Sequence, residues 1–285
     1  MTTIVTWNLN KKQTTLLKDS ILEIIADNKP DIIAFQEAYG TWINTLLNTQ
    51  YDEINYPKSS VGSGVRVFLL KGKYKQYSVQ RTDNKKLVFI HLKDNITNVE
   101  FNIAAVHLYS KVGNTERQQL WKNLPLVQKI KEFEQTSTSN NKTILIGDFN
   151  HNPFENDLSD PNMINGVGCK ILISTLTTNP LSKIDLNFWY NPMWNLMGDF
   201  DFRTNGNRVT GSYFRYTEDE TPIWNLLDGF LLRPSLMDKV NYNLTEILSS
   251  TTKTKFLKPF TIRKDESLIK DDLSDHLPIK LTLNQ

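Results

Sequence analysis

The chain has 285 residues, 39% of them hydrophobic and 22% charged, with a formal net charge of +2. That balance fits a globular fold with a sizeable core, and excludes both a disordered chain and a long apolar membrane span. A charge so near neutral does not by itself announce a polyanion partner, and the single cysteine, Cys169, rules out an internal disulfide or a cysteine zinc cluster. One cysteine fits a reducing compartment. The start, Met1-Thr-Thr-Ile-Val-Thr-Trp-Asn, lacks a basic segment followed by an apolar run, so no secretory signal and a cytoplasmic location are expected.

Thr3 to Leu9 reads as a strand, and Thr14 to Asn28 as a helix with Leu17, Ile21, Ile24 and Ile25 on one face and Pro30 as its stop. Asp31 to Phe35 is a second strand, with Gln36 and Glu37 at its end. Val65 to Leu70, Tyr77 to Arg81, Leu87 to Leu92 and Val99 to Val106 read as successive strands of a meander. Thr115 and Gln118 form a capping box opening a helix with Leu120, Leu124, Val127, Ile130 and Phe133 on one side, which Pro125 should bend. Gln135 to Asn141 is a polar loop leading into a strand at Thr143. From Asn152 to Thr221, prolines, asparagines and glycines surround Trp189, Trp194 and Phe200, which predicts long aromatic-rich loops bordering a substrate. Strands return at Asn225 to Leu232 and Leu277 to Leu283. No repeat or composition break marks a boundary, so residues 1–285 are expected to form one domain.

Polar residues follow or interrupt six of these apolar segments. They are Asn8, Glu37, His107, Asp148 with Asn150, Asp228, and Asp275 with His276. A carboxylate inside an apolar run, such as Asp228 in Asn225-Leu-Leu-Asp-Gly-Phe-Leu-Leu, is unfavourable to bury unless it is paired, hydrogen-bonded or bound to metal. Four acids and two histidines at strand ends suit a divalent-cation phosphodiesterase: hard oxygens for the ion, an acid or amide to orient water, an imidazole against phosphate. Plainer roles exist for several. His107 as a core histidine, Asp148 and Asp275 as turn or helix caps, and Asn8 as a strand end are all common uses; Glu37 and the Asp228 and His276 pair have the fewest such explanations.

Thr6-Trp-Asn-Leu-Asn, Asp31-Ile-Ile-Ala-Phe-Gln-Glu, Ala105-Val-His-Leu, Gly147-Asp-Phe-Asn, Leu227-Asp-Gly-Phe-Leu and Ser274-Asp-His-Leu-Pro-Ile follow one another along nearly the whole chain. In these motifs and their order it resembles the endonuclease/exonuclease/phosphatase superfamily, the deoxyribonuclease I-like fold. The resemblance implies a four-layered α/β sandwich, two packed, mostly antiparallel sheets flanked by helices. It implies Glu37 as principal ligand of a Mg²⁺ ion (Mn²⁺ as the alternative), with Asn8 beside it and Asp275 helping to hold the ion. His276 would contact the scissile phosphate with Asp228 orienting its ring; Asp148 would align the attacking water, Asn150 hold phosphate and nucleophile, and His107 stabilise charge from the opposite side. Tyr109 matches the family only vaguely. The chain departs from the secreted deoxyribonucleases in lacking their paired cysteines and a carboxylate within Gly64-Val-Arg-Val-Phe-Leu-Leu70 to partner His107. Arg66 in that segment is expected at the surface, with pairing to an acid or reach towards substrate as alternatives.

Two basic clusters bear on the substrate. Lys71, Lys73, Lys75, Arg81, Lys85 and Lys86 lie around Tyr74 and Tyr77, and Lys253, Lys255, Lys258, Arg263 and Lys264 around Phe256 and Phe260. Such interleaving suits phosphate contact and base stacking, but a sheet edge protected by lysines is the commoner origin. The leading expectation is a nuclease acting on DNA or RNA, without an obligate protein partner. Hydrolysis of phospholipid or inositol phosphate headgroups, with the Trp189 to Phe202 loop inserted at a bilayer interface, is the second reading, and a non-catalytic binding protein on the same fold the third.

Overall fold

The structure, a computed structural model, describes residues 1–54, 64–139, 141–178, 187–198, 209–217, 221–259 and 266–284. The first half of the chain supplies β1 (Thr2–Asn8), α1 (Thr15–Asn28), β2 (Ile32–Gln36), α2 (Trp42–Leu47), β3 (Tyr51–Glu53), β4 (Val65–Leu70), β5 (Tyr74–Arg81), β6 (Leu87–Asp94) and β7 (Glu100–His107). After α3 (Glu116–Thr136) come β8 (Thr143–Asp148), α4 (Asn156–Ser159), β9 (Gly166–Val167), α5 (Lys170–Thr178) and β10 (Trp189–Tyr190). The last strands are β11 (Tyr213–Arg215), β12 (Ile223–Asn225), β13 (Asp228–Leu232), β14 (Glu246–Ile247) and β15 (Ile279–Leu283).

Two mixed sheets result, one in the order β14-β15-β1-β2-β4-β3 and one in the order β5-β6-β7-β8-β13-β10-β9; β11 and β12 pair separately. The sheets meet face to face where β1 and β2 pack on β8, and β4 on β7. Helices flank them, giving an α/β sandwich. The central strands β2 and β8 are buried at every position, because one face meets the other sheet and the other meets helices; this is why Ile32 to Phe35 and Ile144 to Ile146 are continuously apolar rather than alternating. Thr14 caps α1 by accepting from Leu17 N, and Lys29 closes it in a left-handed turn just ahead of Pro30.

Strand direction gathers the polar residues. β1 and β2 run parallel and set Asn8 beside Gln36, so Glu37 follows at the same edge. β7 and β8 also run parallel, with His107 opposite Asp148. β13 runs antiparallel to β8 and so begins, at Asp228, where β8 ends, at Asp148. β15 is likewise antiparallel to β1, so the residues just before it lie by the end of β1. Ends of four strands and starts of two therefore share one rim.

Several expectations are corrected. The stretch from Asn152 to Thr221 is not wholly irregular: its described parts hold α4, α5, three short strands and a 3₁₀ turn at Pro192–Leu196. Its packing uses asparagines and glycines at close approaches, as at Gly168 against Trp194, which hides the pattern from a hydropathy reading. Trp189 is buried beneath the Arg233 guanidinium, 3.9 Å from its ring centroid, so it is not available to a bilayer; Phe200 and Phe202 lie outside the described residues. Arg66 is buried rather than at the surface, donating to both carboxylate oxygens of Glu53 at 2.6 and 2.8 Å and to Gly40 O at 2.6 Å. The capping box of α3 forms as expected, but its buried face is rotated to include Gln119, Asn123 and Glu134. The first basic cluster divides: Lys75 lies on edge strand β5 over Tyr77, Lys73 pairs with Asp31 at 2.7 Å, and Lys86 points elsewhere. In the second, Phe256 is fully buried and stacked on Trp7, while Phe260, Arg263 and Lys264 lie outside the described residues.

Candidate active site

The shared rim opens into a cleft of about 670 Å³ lined by Asn8, Glu37, His107, Asp148, Asn150, Asp275 and His276. Asp228 lies directly behind His276. All eight residues singled out from the sequence thus meet in one place.

His276 is the most firmly held of them. Its Nδ1 lies 2.6 Å from Asp228 Oδ2, its backbone N–H donates to Ser274 Oγ at 3.1 Å, its carbonyl accepts from Trp7 Nε1 at 2.8 Å, and its ring packs on Tyr213. Burial opposes a charge on the imidazole, but the Asp228 carboxylate beside it prevails, so the His276 pKa is raised to about 10 and the ring is an imidazolium at neutral pH. Asp228 in turn is fixed through its backbone N–H, which donates to Ser212 Oγ at 3.1 Å, and its second carboxylate oxygen, Oδ1, has no hydrogen-bond partner among the described residues.

Asp148 accepts from Asn8 Nδ2 at 2.8 Å, from Asn150 N at 2.8 Å and from Asn150 Nδ2 at 3.2 Å. Burial, followed by the neighbouring Asp228 charge, pushes its pKa up despite these donors. Asn150 reaches this position with a left-handed backbone, φ 53°, and also donates to Leu108 O at 3.0 Å. The Asn8 amide is engaged at both ends, since its Oδ1 accepts from Asn10 N at 2.9 Å.

Glu37 also sits in the left-handed region, φ 50°, immediately after β2. A bulky residue held there stores strain of roughly 1 kcal/mol or more, and such positions persist where the surroundings over-determine them. Here Lys11 N donates to Glu37 O at 3.1 Å and Leu9 N to Gln36 O at 2.9 Å, clamping the turn so that the carboxylate faces the cleft. His107 Nε2 stands 3.8 Å from Glu37 Oε1 and 3.6 Å from Asp148 Oδ2, contacts too long for hydrogen bonds. Burial holds its pKa down to about 4, leaving a neutral ring.

A divalent cation fits this donor set. Carboxylates of Glu37 and Asp275 line one cleft, and hard oxygens suit magnesium or manganese better than zinc. Asp148, Asp228 and His276 also bring ligand atoms within 4.8 Å of one another. That buried trio is less suited to an ion, because His276 Nδ1 is already committed to Asp228 and the ring is protonated.

The remaining lining was marked in the sequence only in part, Tyr109 by its loose match to the family and Lys86 as a member of the first basic cluster. Tyr213 and Arg215 of β11 come from the irregular stretch, and Lys86, Tyr109 and Lys111 flank the His107 side. Lys86 donates to His107 O at 3.2 Å and lies 4.5 Å from the centroid of the Tyr109 ring. Beyond Lys111 lies a buried network: Glu155 Oε2 meets Lys111 Nζ at 2.7 Å and His151 Nδ1 at 3.1 Å, and His151 Nε2 lies 3.5 Å from Asp157. Burial opposes the Glu155 charge, yet hydrogen bonds from His151, Lys111 and Asn152 hold its pKa down to about 2. His151 follows the Gly-Asp-Phe-Asn motif directly, a signal that could have found it but went unused.

The Endonuclease/Exonuclease/phosphatase family model matches residues 5–276. The chain belongs to this family. It is therefore a hydrolase of phosphoester bonds built on the deoxyribonuclease I-like fold. Solved structures with the same fold include a mannosyl-6-phosphatase from Bacteroides thetaiotaomicron, at 14% identity and TM-score 0.63, with 100% of each chain covered. The human Nocturnin catalytic domain with bound sulfate is 16% identical at TM-score 0.58, covering 99% of this chain and 93% of that one. TDP2 from D. rerio, complexed with single strand DNA product, is 14% identical at TM-score 0.56, covering 100% and 99%. None of the curated proteins matches the chain. Among the described residues no helix is long and apolar enough to cross a membrane.

Proposed function

We propose that the protein is a Mg²⁺-dependent nuclease, cleaving phosphodiester bonds of DNA or RNA by in-line attack of water. The observation that carries this reading is the opposition of the two histidines across one acid-lined cleft, His276 charged through Asp228 and His107 facing Glu37 and Asp148. A bound Mg²⁺ would supply Lewis-acid neutralisation of charge on the phosphate. Glu37 and Asp275 would hold the ion. Asn8, with its amide spent on Asp148 and Asn10, acts in our reading as the holder of Asp148 rather than as a ligand.

The His276 imidazolium donates towards a phosphate oxygen, with Asp228 fixing its tautomer and charge. Asp148, whose raised pKa favours proton uptake, orients the attacking water and accepts its proton. Asn150 positions the water or the phosphate, and neutral His107 donates one hydrogen bond from the far side. The cleft carries Lys86, Lys111 and Arg215 among its lining, cations that suit an anionic strand. The fold neighbour bound to single strand DNA favours the same substrate, while the sugar phosphatase neighbour makes a phosphomonoester the competing choice.

The test is a panel of labelled single- and double-stranded DNA and RNA, together with hexose 6-phosphates, each incubated with Mg²⁺ or Mn²⁺. Fragments released by the wild type and abolished by Glu37→Ala support the reading; intact strands alongside phosphate release from the sugar esters reject it.

A further inference from the structure

Lys86 sits in the cleft in a way that the catalytic scheme does not use. It immediately precedes β6, where Leu87 pairs with Val106, and its backbone carbonyl accepts from His107 N at 2.9 Å. Its side chain folds back along the same pair of strands and donates to His107 O at 3.2 Å. The Tyr109 ring lies 4.5 Å from the ammonium, a cation–π distance, and Tyr109 itself is fixed by α3: Asn123 Oδ1 accepts from its N–H at 2.8 Å and Gln119 Nε2 donates to its carbonyl at 2.6 Å. These buried amides explain the rotated face of α3.

The ammonium is thus aimed and half-buried, and it feels the Asp148 and Glu37 charges without forming an ion pair with either. Lys11, Lys73 and Lys111 lie within ion-pair distance of Glu37, Asp31 and Glu155; among the described residues Lys86 has no such carboxylate. An ammonium carries three donors and one is used on His107 O. A cation partly stripped of water gains most from an arriving anion. The scissile phosphate belongs between the two imidazoles, and Lys86 binds the carbonyl end of His107 whereas the Nε2 end faces Glu37 and Asp148. The ammonium therefore lies on the carbonyl side of His107, along the cleft wall from its Nε2 end, and still feels the Asp148 and Glu37 charges.

We propose that Lys86, seated on Tyr109, binds the phosphate of a nucleic-acid strand next to the one that is cleaved. The assignment rests on the nuclease reading. Tyr109 acts as the positioning residue, with Lys122 also near its ring at 5.8 Å, so that its faces serve lysines rather than a base. The site then measures two charges in register, and favours a strand over an isolated ester.

The experiment compares a thymidine trinucleotide with two phosphodiesters against trinucleotides in which one linkage or the other is a neutral methylphosphonate. Loss of one charge-assisted hydrogen bond predicts roughly ten- to hundredfold lower kcat/KM for one methylphosphonate strand, carried mainly by KM. Lys86→Met should erase the difference between strands, and Lys86→Arg should retain it, with thermal melting curves showing that both variants fold. Equal losses on all strands, or a preference that survives Lys86→Met, overturn the assignment. Binding of the same strands to Glu37→Gln protein, followed by fluorescence anisotropy, needs no turnover. A charge preference there that depends on Lys86, without cleavage by the wild type, rejects the nuclease and keeps the subsite; cleavage without any charge preference rejects the subsite and keeps the nuclease.

Discussion

The two histidines of the cleft occupy similar positions at strand ends, yet their surroundings make them different chemical groups. His276 has a carboxylate at 2.6 Å and an aromatic ring packed beside it, while among the described residues His107 has no acid closer than 3.6 Å and has a lysine bonded to its carbonyl. Burial acts on both rings in the same direction. The sign of the outcome is decided by the partner: Asp228 overrides desolvation at His276, and nothing overrides it at His107. One wall of the cleft is therefore a fixed cation and the other a neutral donor with a cation, Lys86, set to one side.

The strongest way to break that comparison is to remove the partner that creates it. Asp228→Asn should lower kcat by roughly 10²–10⁴, the range for a positioned acid or base, with little change in KM. Because Asp228 also sustains the raised His276 pKa, stability should fall as well, and kcat is read on the protein that remains folded. A loss below tenfold would show that His276 does not depend on its carboxylate. Steady-state kinetics on the best substrate of the panel make this measurement.

Gly147→Ala acts on the geometry shared by both walls. Gly147 lies in β8 opposite Val106 of β7, with φ 137°, and a Cβ there would clash with Val106 O. Since Val106 precedes His107 and Gly147 precedes Asp148, relief of the clash must part those two side chains. We expect destabilisation of about 3 kcal/mol or more in urea unfolding, with loss of activity in the protein that remains folded. An unchanged midpoint would mean that the strand pair can spread without consequence.

The contrast between the histidines was only half legible in the sequence. Asp228 and Glu37 stand out because each interrupts or ends an apolar run, and strand polarity then carries them to one rim. The parallel pairs β1–β2 and β7–β8 explain why residues far apart in the chain share an edge. The position of Lys86 had no such signature. Its sequence neighbours, Lys71 to Lys85, belong to an edge strand and its turns, whereas its own side chain is redirected by Tyr109, a contact that periodicity does not encode. Arg66 was hidden for a related reason, since Glu53, its partner, lies on the neighbouring strand β3. Polar Gln119 and Asn123 read as the outer face of α3, because the backbone of the Tyr109 loop that they satisfy is not visible as a hydrophobic pattern. The irregular stretch behind Tyr213 hides its site residue among short elements of two or three residues.

His107→Gln should have a smaller effect than Asp228→Asn, because a neutral donor without a carboxylate partner contributes one hydrogen bond to the transition state. About tenfold in kcat is expected, equivalent to about 1.4 kcal/mol. Losses equal to those of Asp228→Asn would show that the walls are equivalent after all, and would remove the basis for assigning charge stabilisation mainly to His276.

The two rings should act on opposite limbs of the pH dependence of stability. The His276 pKa is raised from its ordinary 6.5 to about 10 in the folded protein, so the folded state holds the proton more tightly than the unfolded chain. Its contribution is complete below pH 6.5 and disappears as the pH climbs through about 10. The His107 pKa is lowered from 6.5 to about 4, so the folded state favours the neutral ring, and that contribution is present above pH 6.5 and lost as the pH falls through about 4. Melting temperatures of metal-free protein across pH 4 to 10 should therefore fall at both ends. His276→Gln should flatten the alkaline limb and His107→Gln the acid limb. If either substitution flattens the limb assigned to the other, the partner does not set the sign, and the division of labour between the walls fails with it.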